Sequence, residues 1–108
     1  MFLIVEALRL HPPATLTTRK CTETFVLPEQ SGVKPTLEVG TSIMIPLYSI
    51  QRDSEYYTSP EEFMPERFDP EFGGVKAFRD KGVLLPFGDG PRICIGLSRF
   101  LNFKKQKY

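Results

Sequence analysis

The sequence contains one histidine, His11, and two cysteines, Cys21 and Cys94. Two cysteines are too few for a disulfide scaffold. Their wide separation makes a reduced, intracellular setting the expectation, with a single bridge as the alternative. A net charge of +1 gives no electrostatic reason to expect a nucleic-acid partner. Lys and Arg are scattered until Lys104-Lys105-Gln106-Lys107, which reads as a solvated end. The apolar run at the N-terminus, Phe2 to Val5, stops at Glu6, far short of the ~18 residues a membrane helix needs. With no charged segment before that run and so short a run, no signal peptide is expected either, and the chain as given is expected to carry no anchor. Internal repeats and low-complexity tracts are also lacking. What remains is a 108-residue chain, 41% hydrophobic and 25% charged, the composition of one small globular domain.

Along the chain, Leu3, Ala7, Leu8 and Leu10 recur at helical spacing, which predicts a helix over 1–10. His11-Pro12-Pro13 stops it, because a residue before proline avoids the α region. No capping residue precedes Phe2, the mark of a helix cut from something longer. Between Arg19 and Pro46 the texture turns β-prone, at 22–26, 36–39 and 41–45. Pro28, Ser31-Gly32 and Val39-Gly40 intervene, and together these pieces predict small hairpins. A short helix is expected over 47–52, then a long coil over 53–82 punctuated by Pro60, Pro65, Pro70 and Gly73-Gly74. Coil of that length is either functional or packed on something outside the chain. A last helix is expected over 97–105, with the Cys94 thiol near its positive N-terminal end.

The most informative stretch is Phe87-Gly88-Asp89-Gly90-Pro91-Arg92-Ile93-Cys94-Ile95-Gly96. Gly88, Gly90 and Gly96 suit sharp turns or close approach to a flat partner, and Pro91 stiffens the turn. Arg92 supplies a permanent cation that can bind a carboxylate. Phe, three Gly, Arg and Cys at fixed positions recur by chance at roughly one in 10⁷ starting points or fewer, given average residue usage. Cys94 has three readings: a metal or haem thiolate, a catalytic nucleophile, or a buried structural thiol. The nucleophile lacks a base, since His11 sits in a helix stop, and a zinc site needs more Cys and His than the chain holds. A haem iron needs only one protein thiolate, because the porphyrin supplies the in-plane ligands. Base rates alone favour the structural thiol.

Residues 87–96 resemble the haem-binding loop of the cytochromes P-450. Two further motifs agree in order: Glu6-Ala7-Leu8-Arg9 resembles that family's Glu-x-x-Arg helix, and Pro65-Glu66-Arg67-Phe68 its Pro-Glu-Arg-Phe segment. The wording of 6–13 and 87–96 is most similar to microsomal, insect-type members. The resemblance implies an α+β piece from the C-terminal part of a mainly helical fold: helix, hairpins, meander coil, cysteine loop and the start of a helix. It implies haem b, with Cys94 as axial iron ligand, Arg92 and Arg19 on the propionates, and Phe87, Gly88 and Gly96 lining the cofactor. His11 contacts propionates in some relatives but is here more simply structural. Glu6, Arg9 and Arg67 would form a buried network whose loss prevents haem incorporation. Ala14, Thr15 and Leu16 would face a lipophilic substrate. The function implied is a monooxygenase inserting one atom of O2. Electrons would come from NADPH–cytochrome P-450 reductase, with cytochrome b5 as a further donor, at the cytoplasmic face of the endoplasmic reticulum.

The chain also departs from that pattern. A cytochrome P-450 is several times longer, so residues 1–108 read as a partial domain lacking the oxygen-activating central helix, most of the substrate pocket and the anchor. After Gly96 the expected aromatic and small residues are replaced by Arg99 and Phe100. A phenyl ring pushed toward the porphyrin would cost about 1 to 3 kcal/mol of overpacking. Residues 98–108 therefore read as a divergent tail, as from an intron read past Gly96. The alternative function is a non-catalytic truncated or pseudogene product unable to hold haem.

Overall fold

The structure is a computed structural model and describes residues 1–97. The expected helix over 97–105 and the divergent tail at 98–108 lie outside the described residues, apart from Leu97. α1 spans Phe2–Leu10 and begins without a side-chain cap. His11 leaves the helical region at φ −129° and ψ 66° while its amide still reaches the Ala7 carbonyl, as the following proline demands. Val5, Glu6, Arg9 and Leu10 form its buried face.

Four strands follow: β1 (Thr17–Lys20), β2 (Phe25–Val26), β3 (Thr36–Leu37) and β4 (Ser42–Ile45). β2 and β3 pair antiparallel, Phe25 opposite Leu37. Their hairpin is closed beyond the strands by a Gln30–Val33 bridge, around Ser31 and Gly32 at φ 51° and 79°. Positive φ at both central residues makes the turn that matches strand twist. β1 and β4 pair antiparallel outside this hairpin, Thr17 opposite Ile45 and Lys20 opposite Ser42. The β-prone pieces expected from the sequence begin at residue 22, so the whole of β1 lies outside them. The piece at 22–26 shortens to Phe25–Val26. Pairing to β4, more than twenty residues away, is what makes Thr17 and Thr18 a strand.

α2 covers Leu47–Ile50. The expected long coil over 53–82 is corrected: it carries single 3-10 turns at Pro65–Phe68 and Pro70–Phe72, and a helix, α3, at Gly74–Asp80. Both prolines stand at the start of their turns, where a missing amide proton costs nothing. The residues that looked like breakers thus delimit short elements. α3 earns its helix by packing: Phe78 stacks on Tyr57 at 5.1 Å and meets Phe68 edge-on at 5.1 Å, contacts worth about 0.5 to 1.5 kcal/mol each beyond burial. Val5, Tyr57, Phe68, Val83 and Leu84 form the core, with Phe2, Ile50, Val75 and Phe78 against it. The chain is thus α+β, with a few helices and two small antiparallel sheets. Among the described residues no helix is long and apolar enough to cross a membrane.

Candidate functional site: a buried charge network beside an open cysteine loop

Glu6 and Arg9 stand one turn apart on the buried face of α1, and both are 0% exposed. Arg9 Nε donates to Glu6 Oε2 at 2.7 Å and Nη2 to Oε1 at 2.8 Å. The remaining donors reach the carbonyls of Gln51 and Pro60, both at 2.7 Å, and of Glu62 at 3.2 Å. All five N–H groups of the guanidinium are therefore engaged. Glu6 Oε1 also accepts the Met64 amide at 3.0 Å and Arg67 Nε at 3.2 Å, filling the capacity of its carboxylate. Arg67 continues to the carbonyls of Thr58, Ser59 and Glu62. The structure thus brings Glu6, Arg9 and Arg67 together, and the two arginines pin the coil over 58–64 to α1.

Burial pushes the Glu6 carboxyl up, but the Arg9 hydrogen bond, the Met64 amide and the charges of Arg9 and Arg67 outweigh it and hold the group below the ordinary carboxylate range. Tyr57 lies under both cations, its ring centroid 5.0 Å from the Arg9 guanidinium carbon and 5.8 Å from that of Arg67. Its hydroxyl donates to the Val83 carbonyl at 2.9 Å. Burial raises its pKa strongly, the nearby cations opposing. Sequence reasoning missed Tyr57 and also Gln51, which is 1% exposed. No local signal marks either, because their partners are distant in sequence.

The cysteine loop begins just past Leu84. The Gly88 amide donates to Leu85 O at 3.0 Å, the Cys94 amide to Phe87 O at 2.8 Å, and the Leu97 amide to Cys94 O at 3.1 Å. Gly88 and Gly90 hold φ of 72° and 74°, a region costly for side chains. A Cβ at Gly96 would stand 3.4 Å from Cys94 Sγ. Cys94 is exposed and unbridged. Its side chain opens on a groove of about 370 Å³, toward the lower end of the size range of cofactor sites.

That groove is lined by Phe87, Gly88, Arg92 and Cys94 from the loop and by Ala14, Leu16 and Arg19 from the segment after α1. Two arginines and one thiol from segments over seventy residues apart thus face one space. Arg19 donates to Thr17 Oγ1 and Thr18 O, while Arg92 makes no ion pair among the described residues. Thr15 is not in this lining; its carbonyl accepts the Tyr48 amide at 3.0 Å. Gly96 is not in it either. Among the described residues no three His, Cys, Asp or Glu side chains are grouped to hold a metal ion. A metal bound at Cys94 would take its other ligands from a cofactor. A thiol with two cations on one apolar-walled groove fits a flat metallocycle bearing carboxylates, and so fits haem.

This arrangement defines a candidate thiolate cofactor site on an α+β scaffold. Comparison with known proteins agrees: the cytochrome P-450 family model matches residues 2–98. The chain is 46% identical over 99 residues to cytochrome P-450 9e2 of Blattella germanica, covering 91% of this chain and 17% of that protein. It is 40% identical over 95 residues to the protein named probable cytochrome P-450 28a5 of Drosophila melanogaster, covering 87% and 18%. Cytochrome P-450 6l1 of Blattella germanica is 42% identical over 96 residues, covering 88% and 18%. The chain belongs to the cytochrome P-450 family, a family of monooxygenases, and spans less than a fifth of the length of these relatives.

Proposed function

We propose that these residues form the proximal haem-binding part of a haem-thiolate monooxygenase, which inserts one oxygen atom of O2 into a small lipophilic substrate. The observation that carries this reading is the single groove shared by Cys94, Arg92 and Arg19. Cys94 would supply the thiolate ligand to the iron, Arg92 and Arg19 would bind the carboxylates of haem b, Gly88 would let the backbone approach the ring, and Gly96 would leave room beside the thiol. Phe87, half-buried beside the thiol, would exclude water from the thiolate and so tune its donor strength. When bound, haem supplies oxygen activation, favoured by electron density from the thiolate. Ala14 and Leu16 line the same groove as Cys94 and would present small apolar contacts to substrate, with Thr15 next to them in sequence. The Glu6–Arg9–Arg67 network would keep the coil over 58–64 and the loop in register. Electrons would arrive from NADPH–cytochrome P-450 reductase, with cytochrome b5 as a second donor, at the endoplasmic reticulum membrane.

The test is a reduced, carbon-monoxide difference spectrum of the intact protein carrying these residues. A thiolate-type Soret band that disappears in Cys94→Ala supports the reading; a band that persists in that variant refutes it. A second reading, favoured by the open groove and exposed thiol, is that the 108 residues alone are a non-catalytic product unable to hold haem. The same spectrum of the 108-residue chain should then be flat.

A further inference from the structure

Gln51 follows α2 directly and is almost wholly buried, and its side chain adds polar ties between the end of α1 and the segment after Leu84, which otherwise meet through apolar packing. Buried amides are costly unless satisfied. Here Nε2 donates to Arg9 O at 3.1 Å and Leu8 O at 3.5 Å, and Oε1 accepts the Leu85 amide at 3.1 Å. Its main-chain carbonyl accepts Arg9 Nη1. The carbonyls of Leu8 and Arg9 belong to the last turn of α1, where helices leave acceptors unpaired. The neighbouring Arg52 donates to the Leu10 carbonyl of the same turn. Capping that turn needs only donors. The acceptor oxygen of Gln51 does something else: it holds the amide two residues before Phe87. Leu85 in turn accepts the Gly88 amide at 3.0 Å, which closes the turn that opens the cysteine loop.

We propose that Gln51 is a positioning residue for the Cys94 loop, fixing the start of that loop against the Glu6–Arg9–Arg67 network. Its consequence for a bound haem rests on the function proposed above; its hold on Leu85 does not. The two are separated by measuring hydrogen exchange in the haem-free intact protein. Gln51→Met keeps length and volume and removes all three side-chain hydrogen bonds. Exchange in the peptide containing Leu85 should accelerate about ten-fold, the order expected for losing a net hydrogen bond, with the interior of α1 unchanged. Gln51→Glu retains the acceptor for Leu85 and, as the neutral acid that burial favours, keeps one donor for Arg9 O, so protection at Leu85 should remain near wild type. In the haem-loaded protein Gln51→Met should lose part of the thiolate-type Soret band while Gln51→Glu retains it. The proposal is overturned if Leu85 protection is unchanged in Gln51→Met, or if both variants lose protection equally throughout α1 and the loop. Should Gln51→Met not fold, Gln51→Glu alone decides: retained protection at Leu85 supports the proposal and lost protection refutes it. Absence of the Soret band in wild type, with Leu85 still responding to Gln51→Met, sinks the haem reading and leaves Gln51 in place.

Discussion

Arg9 and Arg92 carry the same side chain into opposite settings. Arg9 is fully buried with every donor engaged, whereas Arg92 is exposed on an open groove. The acid and the thiol divide likewise: Glu6 accepts four hydrogen bonds in the interior, and Cys94 stands exposed. A saturated guanidinium has nothing left for a ligand, so the Arg9 region can hold shape but cannot bind. An exposed guanidinium beside an exposed thiol keeps its capacity and contributes little to folding. One region uses its charge on itself; the other leaves its charge facing an open groove.

The largest expected effect lies on the buried side. Arg9→Ala leaves Glu6 buried with only Arg67 beside it, and breaking such a set costs about 3 to 5 kcal/mol. That approaches the whole stability of an ordinary domain, about 5 to 15 kcal/mol. The intact protein with this change should fail to accumulate folded and to take up haem, read from soluble yield and haem content. An Arg9→Ala protein with unchanged haem content and denaturation midpoint would remove the distinction between the two regions.

Acid should attack the same network more gently. The folded pKa of Glu6 is depressed, so its contribution is fully present above the ordinary carboxylate value of 4.5. It is lost as pH falls through the lower folded value. A stability profile from pH 6 downward should therefore drop with a component that Glu6→Gln abolishes. If the wild-type and Glu6→Gln profiles keep a constant separation through that range, Glu6 is not the group responsible.

Much of this comparison can be read along the chain, and the remainder cannot for definite reasons. Glu6 and Arg9 are visible as an i, i+3 pair, the stop of α1 is written in Pro12 and Pro13, and the glycines and Cys94 mark the loop. Three motifs in order carried the family resemblance, and the family model spans them. Gln51 and Tyr57 are invisible because Gln51 meets Leu85 and Arg9 across 34 and 42 residues, and Tyr57 meets Val83 across 26. α3 was hidden behind Gly73-Gly74, since Phe78 makes a helix worthwhile only once Tyr57 and Phe68 are in place. That Arg19 shares a groove with Cys94 is likewise a tertiary fact.

A smaller effect separates packing from polarity within the network. Tyr57→Phe keeps the stack on Phe78 and the ring beneath both arginines but leaves the Val83 carbonyl without its hydroxyl partner. The cost should be about 0.5 to 1.5 kcal/mol, seen as a lower denaturation midpoint. The raised pKa of Tyr57 also adds an alkaline limb. Its contribution is present below the ordinary tyrosine value of 10.0 and is lost as pH rises beyond it. Tyr57→Phe should erase that limb, and a limb that survives the substitution belongs to another group.

The smallest expected change in stability is the most informative about function. Cys94 is exposed, its main chain rather than its side chain ties the loop together through Phe87 O and the Leu97 amide, and alanine keeps both of those bonds. Surface substitutions of this kind stay within about 0.5 kcal/mol, so the haem-free intact protein should unfold at the same denaturant concentration with or without the thiol. The thiolate-type band should nonetheless vanish completely, because no other cysteine lies on the groove and no grouped ligand set stands among the described residues to replace it. Arg9→Ala and Cys94→Ala would then give the same spectrum for opposite reasons, one by losing the scaffold and the other by losing the ligand. If Cys94→Ala instead destabilises the haem-free protein as Arg9→Ala does, the thiol belongs to the folded core in solution, and the division between a self-satisfied scaffold and an outward-facing loop fails at its most important residue.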